Sequence, residues 1–536
     1  MRRTITILLL FIALLGKAQN TEYMHLYSDR DNYISGETIF LKIFAPEKES
    51  SGIVHVDLVN PGGRILTGIS KKIIDHQTDG FIVLPDSLGT GTYLLCSSSI
   101  SNPEVTVKEL FIYNRFSGVT GVSSLQRAAD FEPIAEQLAN IKVDGIKNSC
   151  QTREKINFSL HIPTETLDRL AGDLMISLAE KSPGMDSQTF VQKANLPKAP
   201  GTENDGVLVK GTVIDMNTGK PFGNGCVYLS VPDSVPKLQY FMTGDDGNFN
   251  FQLTDYFGNI PVVIQAFDPE KKRLLKVVLN RRDSLRNILP KFNEVAISSG
   301  LQSSISEDID VVTLRKIFNL QVLTIHKPAL KKEIEYPFYG VPSEIIHPEV
   351  FIELPDFTEI SRELLPGVKF RAYNRIPTMQ ILNPFTQNYF VEQPLVLLNG
   401  IPVLDLNIIK NLGTKDIERI ELCRNERFYG NLGFQGVVSI YTPKKDPTLL
   451  KEAEDLVKIN LDALQPSADL IIPKESIASN EPDLRKVLLW EKSVKKTETM
   501  HFEFTTSDIK GSFQLTIRGK TKDGLIIRKD QIFEVK

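Results

Sequence analysis

Apolar and polar positions alternate with a period of two along most of the chain, which predicts many short half-buried strands and few helices. Val54, Val56 and Leu58 alternate with His55 and Asp57, then Asn60, Pro61, Gly62 and Gly63 turn the chain before Ile65 and Leu66 resume an apolar run. That order reads as a hairpin with one buried face. Ile156, Phe158, Leu160 and Ile162 share a face, and Leu174, Ile176 and Leu178 repeat the pattern after a polar connection. Gly211, Val213, Asp215, Thr218, Gly219 and Pro221 describe a strand, a glycine turn and a re-entry. Gly244, Asp245, Asp246, Gly247 and Asn248 describe a tight hairpin leading into the alternating Phe249 and Phe251. Leu395 to Leu398 reads as a buried strand ending in the turn Asn399, Gly400; Leu488, Leu489, Trp490, Phe502, Phe504, Phe513, Leu515 and Ile517 return to strand alternation near the end.

The first residues break this pattern. Arg2 and Arg3 precede an apolar stretch over 7–15, and Gly16 and Ala18 sit at the −3 and −1 positions of a cleavage site, so 1–18 reads as a secretory signal peptide. A membrane-spanning helix needs about 20 apolar residues, and Lys17 interrupts the run well before that. No cysteine lies near the cleavage point, so a lipid anchor is not expected, and no transmembrane segment is expected after cleavage. The chain has 62 basic and 66 acidic side chains; loss of Arg2, Arg3 and Lys17 leaves 59 against 66, a net charge of −7. Nucleic acid and anionic membrane surfaces call for a basic face, so neither is an expected partner.

The length of 536 residues predicts about three to five domains. In 20–116, Asp29, Arg30, Tyr33, Gly36 and Glu37 before the strand from Thr38 to Phe44, and later Leu84, Pro85, Asp86, Leu88, Gly91, Thr92 and Tyr93, resemble the MG2 domain of the alpha-2-macroglobulin family. A second β unit over 141–200 resembles another macroglobulin-type sandwich. The turns of 206–288 resemble the carboxypeptidase regulatory-like domain, a small transthyretin-like sandwich. The prolines Pro328, Pro337, Pro342, Pro348, Pro355, Pro366 and Pro377 mark 289–391 as an irregular connecting region.

In 392–445, the strand and Asn399-Gly400 turn, Asp416-Ile417-Glu418-Arg419-Ile420-Glu421, Tyr429-Gly430, and Gly436-Val437-Val438 with Ile440 and Thr442 resemble the plug domain of TonB-dependent outer-membrane receptors. Asn399 stands where that family usually has Asp, Arg424 and Asn425 where it usually has Lys and Gly, and Pro443 intervenes before Lys444. The stretch 446–480 reads as a linker and 481–536 as a C-terminal β segment similar to a closing macroglobulin-like unit. This order of modules resembles Bacteroidota envelope proteins that combine them. The implied fold class is mainly β: tandem immunoglobulin-like and transthyretin-like sandwiches with an inserted α+β plug-like domain. A TonB-dependent transporter itself would need a barrel of about 22 strands, more than roughly 200 residues, and the stretch after the plug-like unit is too short for one.

Candidate chemistry is thin. His25, His55, His76, His161, His326, His347 and His501 include no H-x-x-E or H-E-x-x-H spacing. Cys96, Cys150, Cys226 and Cys423 include no C-x-x-C pair and no Cys-Gly-Glu-Gln thioester motif. They read as small buried hydrophobes, although a Cys96–Cys150 disulfide is permitted in an oxidising compartment. Asp29 and Glu37 read as turn acids bonded to nearby backbone, and so do Asp215, Asp245 and Asp246, which could otherwise be imagined around calcium. Asp416 and Glu418 read as turn and surface groups, and Trp490 as a core anchor. The expectation is therefore a non-enzymatic protein with no catalytic, metal or cofactor site, exported to the periplasm or outer membrane. It would act by β-augmentation on outer-membrane or periplasmic proteins, a TonB-dependent barrel among them. The alternative is an accessory ligand-binding protein of a TonB-dependent uptake system.

Overall fold

The structure is a computed structural model describing residues 23–49, 51–100, 102, 104–117, 122–125, 132–134, 136–181, 189–193, 203, 205–232, 235, 237–270, 272–280, 292–295, 299–318, 320, 323–326, 336–373, 376–443, 450–451, 453–471 and 481–536. The signal peptide expected at 1–18, Pro328 and Lys444 lie outside the described residues. The fold is mainly β. Described residues of Met1–Val207, Arg282–Pro328 and Leu464–Lys536 form one compact unit, and those of Leu208–Arg281 and Ala329–Ala463 form a second.

The first unit opens with a sandwich whose core comes from one continuous stretch, 24–112, with Thr189–Lys193 and Glu132–Pro133 added at its edge. Its strands lie in the order His25–Ser28, Thr38–Phe44, Gln77–Val83, Ile65–Ile74, Ser51–Val59, Gly91–Ser98, Glu104–Tyr113. The hairpin expected around Asn60 forms, with Val54 opposite Lys71 and Val56 opposite Ile69. Between Ile65–Ile74 and Gln77–Val83 the ladder is limited to Ile74 opposite Gln77, and there the chain passes from one layer to the other. Leu41 and Ile43 from one layer meet Val54, Val56, Leu58, Leu95 and Leu110 from the other, all fully buried.

Of the segments 141–200 and 481–536, expected as separate units, residues 141–180 and 481–536 instead share a single sandwich, while Thr189–Lys193 pairs with Glu104–Tyr113 of the first. Lys155–His161 pairs antiparallel with Thr499–Thr505, Phe158 opposite Phe502. Leu174–Glu180 lies between Val487–Val494 and Gly511–Lys520, and Ile526–Val535 extends that sheet. The cause is plain in the burial. The apolar faces Ile156, Phe158, Leu160 and Leu174, Ile176, Leu178 are covered by Leu488, Phe504, Phe513, Leu515 and Phe533 in one core. Neither segment has enough apolar partners within itself to cover its own face. Trp490, 7% exposed, packs beside Phe40, Phe44, Phe81 and Met175 and joins the two sandwiches, as a core anchor should.

Helix Ser299–Ile317 corrects part of the expected irregular region 289–391. Ile305, Ile309 and Val312, spaced four and three apart, form the stripe that packs on Ile34, Phe111 and Tyr113.

In the second unit, two sheets face each other: Asn248–Thr254, Gly206–Asp215, Leu275–Leu279, and Lys237–Met242, Cys226–Val231, Asn259–Phe267, Leu456–Asp462. Val213, Val227, Leu229, Phe249, Phe251, Val262 and Ile264 fill the space between them. Two expectations change here. The turn at Gly244 to Asn248 is not a hairpin: the strands on either side belong to different sheets, and the turn carries the chain from one to the other. Gly247, at φ +67°, is needed because a Cβ there would meet the Val213 carbonyl oxygen at 2.5 Å. The expected linker 446–480 supplies Leu456–Asp462, whose Ile459 lies opposite Val262 and closes the edge.

The rest of this unit is a five-stranded mixed sheet in the order Glu344–Ile346, Arg419–Cys423, Val437–Tyr441, Leu395–Leu398, Ile401–Pro402. Asn399 and Gly400 both have positive φ, 52° and 83°, the requirement of a type I′ turn. The Asn399 amide also donates to Thr442 Oγ1 at 2.9 Å and accepts from the Thr442 N–H at 2.9 Å. Helix Phe357–Glu363 and the hairpin Val368–Tyr373 with Ile376–Ile381 belong to the same core, so much of 336–391 is ordered. The prolines stand where they cost little: Pro348 in the first turn of a short helix, Pro355 before the Asp356 N-cap, Pro366 after a helix end, and Pro377 in a two-stranded hairpin.

Candidate functional site

Asp29 and Glu37 meet around a buried arginine. The Arg30 guanidinium, on a residue 7% exposed, pairs through Nε with Asp29 Oδ2 and through Nη2 with Glu37 Oε1, each at 3.1 Å. It lies 4.7 Å from the centre of the Tyr33 ring. The Phe40 N–H donates to Asp29 Oδ1 at 2.7 Å and the Ile34 N–H to Glu37 Oε2 at 2.8 Å, so Glu37 binds nearby backbone as expected, whereas Asp29 reaches a residue within the strand Thr38–Phe44. Burial pushes the Asp29 carboxyl up. Burial acts on Glu37 in the same sense, but Arg30, Lys486 and Arg315 together hold it down at about 2.

Helix Ser299–Ile317 docks over this knot by charge as well as by its apolar stripe. Arg315 stands 3.8 Å from Glu37, Lys316 2.5 Å from Asp86, and Asp308 pairs with the buried Lys486, which also lies 3.2 Å from Glu180. Burial pushes Asp308 up to about 6, with Lys486 opposing. Two cavities flank Arg30. A cleft of about 710 Å³ runs between Tyr27 to Asn32, the helix at Ser304 to Asp308, and the composite sandwich at Lys510 to Arg518. A smaller hollow of about 240 Å³ is lined by Arg30, Arg315, Phe40, Leu470 and Leu484.

A second constellation escaped the sequence. His55 Nδ1 is 2.9 Å from Ser70 Oγ, and His55 Nε2 is 2.7 Å from Glu203 Oε2. Serine, histidine and carboxylate in line have the composition of a nucleophile relay. The surroundings give it another use. Ser70 is a ladder residue 8% exposed, bridged by Leu464, and the Glu203 carbonyl accepts from the Ile53 N–H at 3.0 Å. The trio thus pins a crossing segment to the sandwich, with Ile53, Val207 and Leu464 as its apolar cover. The alternation around His55 shows which face it shares with Ser70, but Glu203 is 148 residues away and has no local signal.

Elsewhere, Ser159 Oγ and His501 Nδ1 lie 2.8 Å apart as cross-strand neighbours on an outward face. Asp215 accepts from the Asn217 N–H at 2.8 Å and lies 3.5 Å from Arg273; Asp246 accepts from the Asn248 N–H at 3.0 Å. Asp416 accepts from the Gly413 N–H at 2.9 Å, and Glu418 lies 3.6 Å from Arg419. No group of three or more potential metal ligands occurs among the described residues. The four cysteines are buried free thiols, and burial pushes that of Cys226 up to about 12. Among the described residues no helix is long and apolar enough to cross a membrane.

No family model and no curated protein matches this sequence. Among solved structures, trypsin-activated alpha-2-macroglobulin from Escherichia coli is similar at 8% identity, over 97% of this chain and 42% of that one, with a TM-score of 0.23. Salmonella alpha-2-macroglobulin reacted with methylamine is similar at 9% identity, over 96% of this chain and 39% of that one, with a TM-score of 0.21. Dimeric latent PorU from Porphyromonas gingivalis is similar at 8% identity, over 51% of this chain and 34% of that one, with a TM-score of 0.16. The chain spans about two fifths of the length of the two macroglobulins.

Proposed function

We propose that this chain is an exported, non-catalytic cell-envelope protein that binds or scaffolds outer-membrane or periplasmic partners through its sandwiches and its plug-like sheet. The observation that carries the reading is a surface of the second unit. Val350, Phe351 and Ile352 are consecutive and 72%, 53% and 73% exposed. They follow Glu344–Ile346, the terminal strand of the five-stranded sheet, on which Ile345 is also exposed. Exposed apolar side chains on and just after a strand with one edge unpaired among the described residues suit addition of a partner strand. The non-enzymatic reading draws on the first unit, where acids and bases are spent on one another and Ser70 is covered. Export rests on the signal-peptide pattern of 1–18, and the modular likeness to Bacteroidota envelope proteins suggests outer-membrane partners, a TonB-dependent barrel among them.

Cross-linking of the mature chain in detergent-solubilised outer membranes tests this. A defined partner should be recovered, and lost when Val350, Phe351 and Ile352 are all replaced by Asp. Substrate turnover by the purified chain, abolished by Ser70→Ala, would overturn it. The second reading, an accessory protein of TonB-dependent uptake, draws on the 710 Å³ cleft; there a small ligand should raise the melting temperature by binding only the native state.

A further inference from the structure

We infer that the strand Thr499–Thr505 pairs with the same strand of a second copy of this chain, antiparallel about Phe502, to form a two-fold dimer through a continuous sheet. The inference goes beyond the partner-binding reading above and rests on a different surface, in the first unit instead of the second.

Thr499–Thr505 is the terminal strand of its sheet. It pairs with Lys155–His161 on one side, and no strand among the described residues pairs with it on the other. Its seven residues run without a register shift and without proline, so the edge lacks two devices that commonly blunt one.

The parity of the ladder shows which backbone groups stand at that edge. The Ile162 N–H donates to the Glu498 carbonyl at 2.9 Å and the Thr506 N–H to the Glu154 carbonyl at 3.0 Å, both in the register of the strand pair. Bonded pairs in an antiparallel ladder recur at every second residue, so Met500, Phe502 and Phe504 turn their N–H and C=O toward Lys155–His161. Thr499, His501, Glu503 and Thr505 turn theirs outward. At the two ends the carbonyls are engaged, that of Thr499 by Thr497 Oγ1 at 3.0 Å and that of Thr505 by Arg485 Nη2 at 3.1 Å. At the centre the N–H and C=O of His501 and Glu503 have no partner among the described residues.

The order of side chains selects the occupant and its register. Thr-Met-His-Phe-Glu-Phe-Thr reads as a palindrome of chemical classes about Phe502. A two-fold axis at Phe502 sets His501 opposite the partner's Glu503, and the outward backbone groups of these two residues bond to each other. His501 Nδ1 lies 2.8 Å from Ser159 Oγ, which leaves Nε2 for the carboxylate, and Glu503 uses Oε2 for Lys155 at 3.0 Å, which leaves Oε1. On the core face Met500 meets the partner's Phe504, and the half-buried Phe502 meets its own copy. Other registers lose this match. An axis at Glu503 sets carboxylate against carboxylate, and an axis at His501 leaves Glu503 opposite Thr499 without a countercharge. An axis between residues opposes outward backbone groups to inward ones. Charge and hydrogen bonding therefore agree on a second copy in a single register.

Sedimentation equilibrium of the full mature chain tests this. It should show a reversible monomer–dimer equilibrium, and exchange at the His501 and Glu503 amides should slow as the protein concentration rises. His501→Glu alone sets carboxylates against each other, and Glu503→Lys alone sets cationic groups together. The axis repeats each pair, so either variant should weaken dimerisation by about tenfold. Both positions are exposed, and melting curves check that the fold stands. The two variants mixed should associate again, because each supplies the charge that the other lacks. A chain monomeric at every concentration, a dimer indifferent to either variant, a mixture no better than its parts, or a dimer with both amides unprotected would each overturn the assignment. The two readings fail separately: partner capture can be lost while the dimer holds, and the dimer can be lost while capture holds.

Discussion

The two sandwiches of the first unit are built alike and closed differently. The first draws its core from one continuous stretch, with Arg30, Lys42 and a neutral His25 buried around it. The composite sandwich takes its halves from distant parts of the chain, and it too buries charged side chains, Lys486, Arg518 and Lys520 among them. The difference teaches that an apolar face can be covered equally well by neighbouring strands or by strands from a distant part of the chain, since both cores are closed by hydrophobic clusters.

The most severe way to break the comparison is to delete residues 487–536. This should expose the segment 142–180 to proteolysis and hydrogen exchange while 24–113 stays protected, because the first core has its own partners. Loss of protection in both sandwiches at once would show that the first depends on the second through Trp490 and Phe40, whose ring centres are 5.8 Å apart.

The next effect is acid sensitivity of the first sandwich. Burial, helped by Lys520, lowers His25 to about 3, and neither ring nitrogen has a partner among the described residues. Between its ordinary value of 6.5 and about 3 the unfolded chain binds the extra proton, so this stability is present above pH 6.5 and is lost as pH falls toward 3. The loss should be on the order of 5 kcal/mol by denaturant titration. His25→Phe should remove that part of the slope and stabilise the protein at pH 7. The composite core, without such a group, should keep its protection through the same window.

Smaller still, His55→Ala should cost about 1–3 kcal/mol, because it removes the hydrogen bonds that His55 makes to Ser70 and Glu203 under cover. It should raise exchange at Ile53 more than in the composite sheet. The least effect belongs to Lys155→Ala: its pair with Glu503, at 3.0 Å, is 62% and 64% exposed and should change stability by under about 0.5 kcal/mol.

What the sequence determined by itself was local. The period-two runs marked the strands and their buried faces, the Asn399-Gly400 pair marked a turn that needs two positive φ angles, and Glu37 read correctly as an acid that binds nearby backbone. The helix over 299–317 left only a faint mark, since Ile305, Ile309 and Val312 keep helical spacing but the exposed Leu314 and Ile317 blur it. Tertiary structure alone decided the partners. A buried face states that something must cover it, not what: Phe158 found Phe502, Val262 found Ile459, and His55 found Glu203 across long stretches of chain. Closing a longer loop costs only slightly more entropy than closing a shorter one, so coverage, rather than proximity in the chain, chose the pairing.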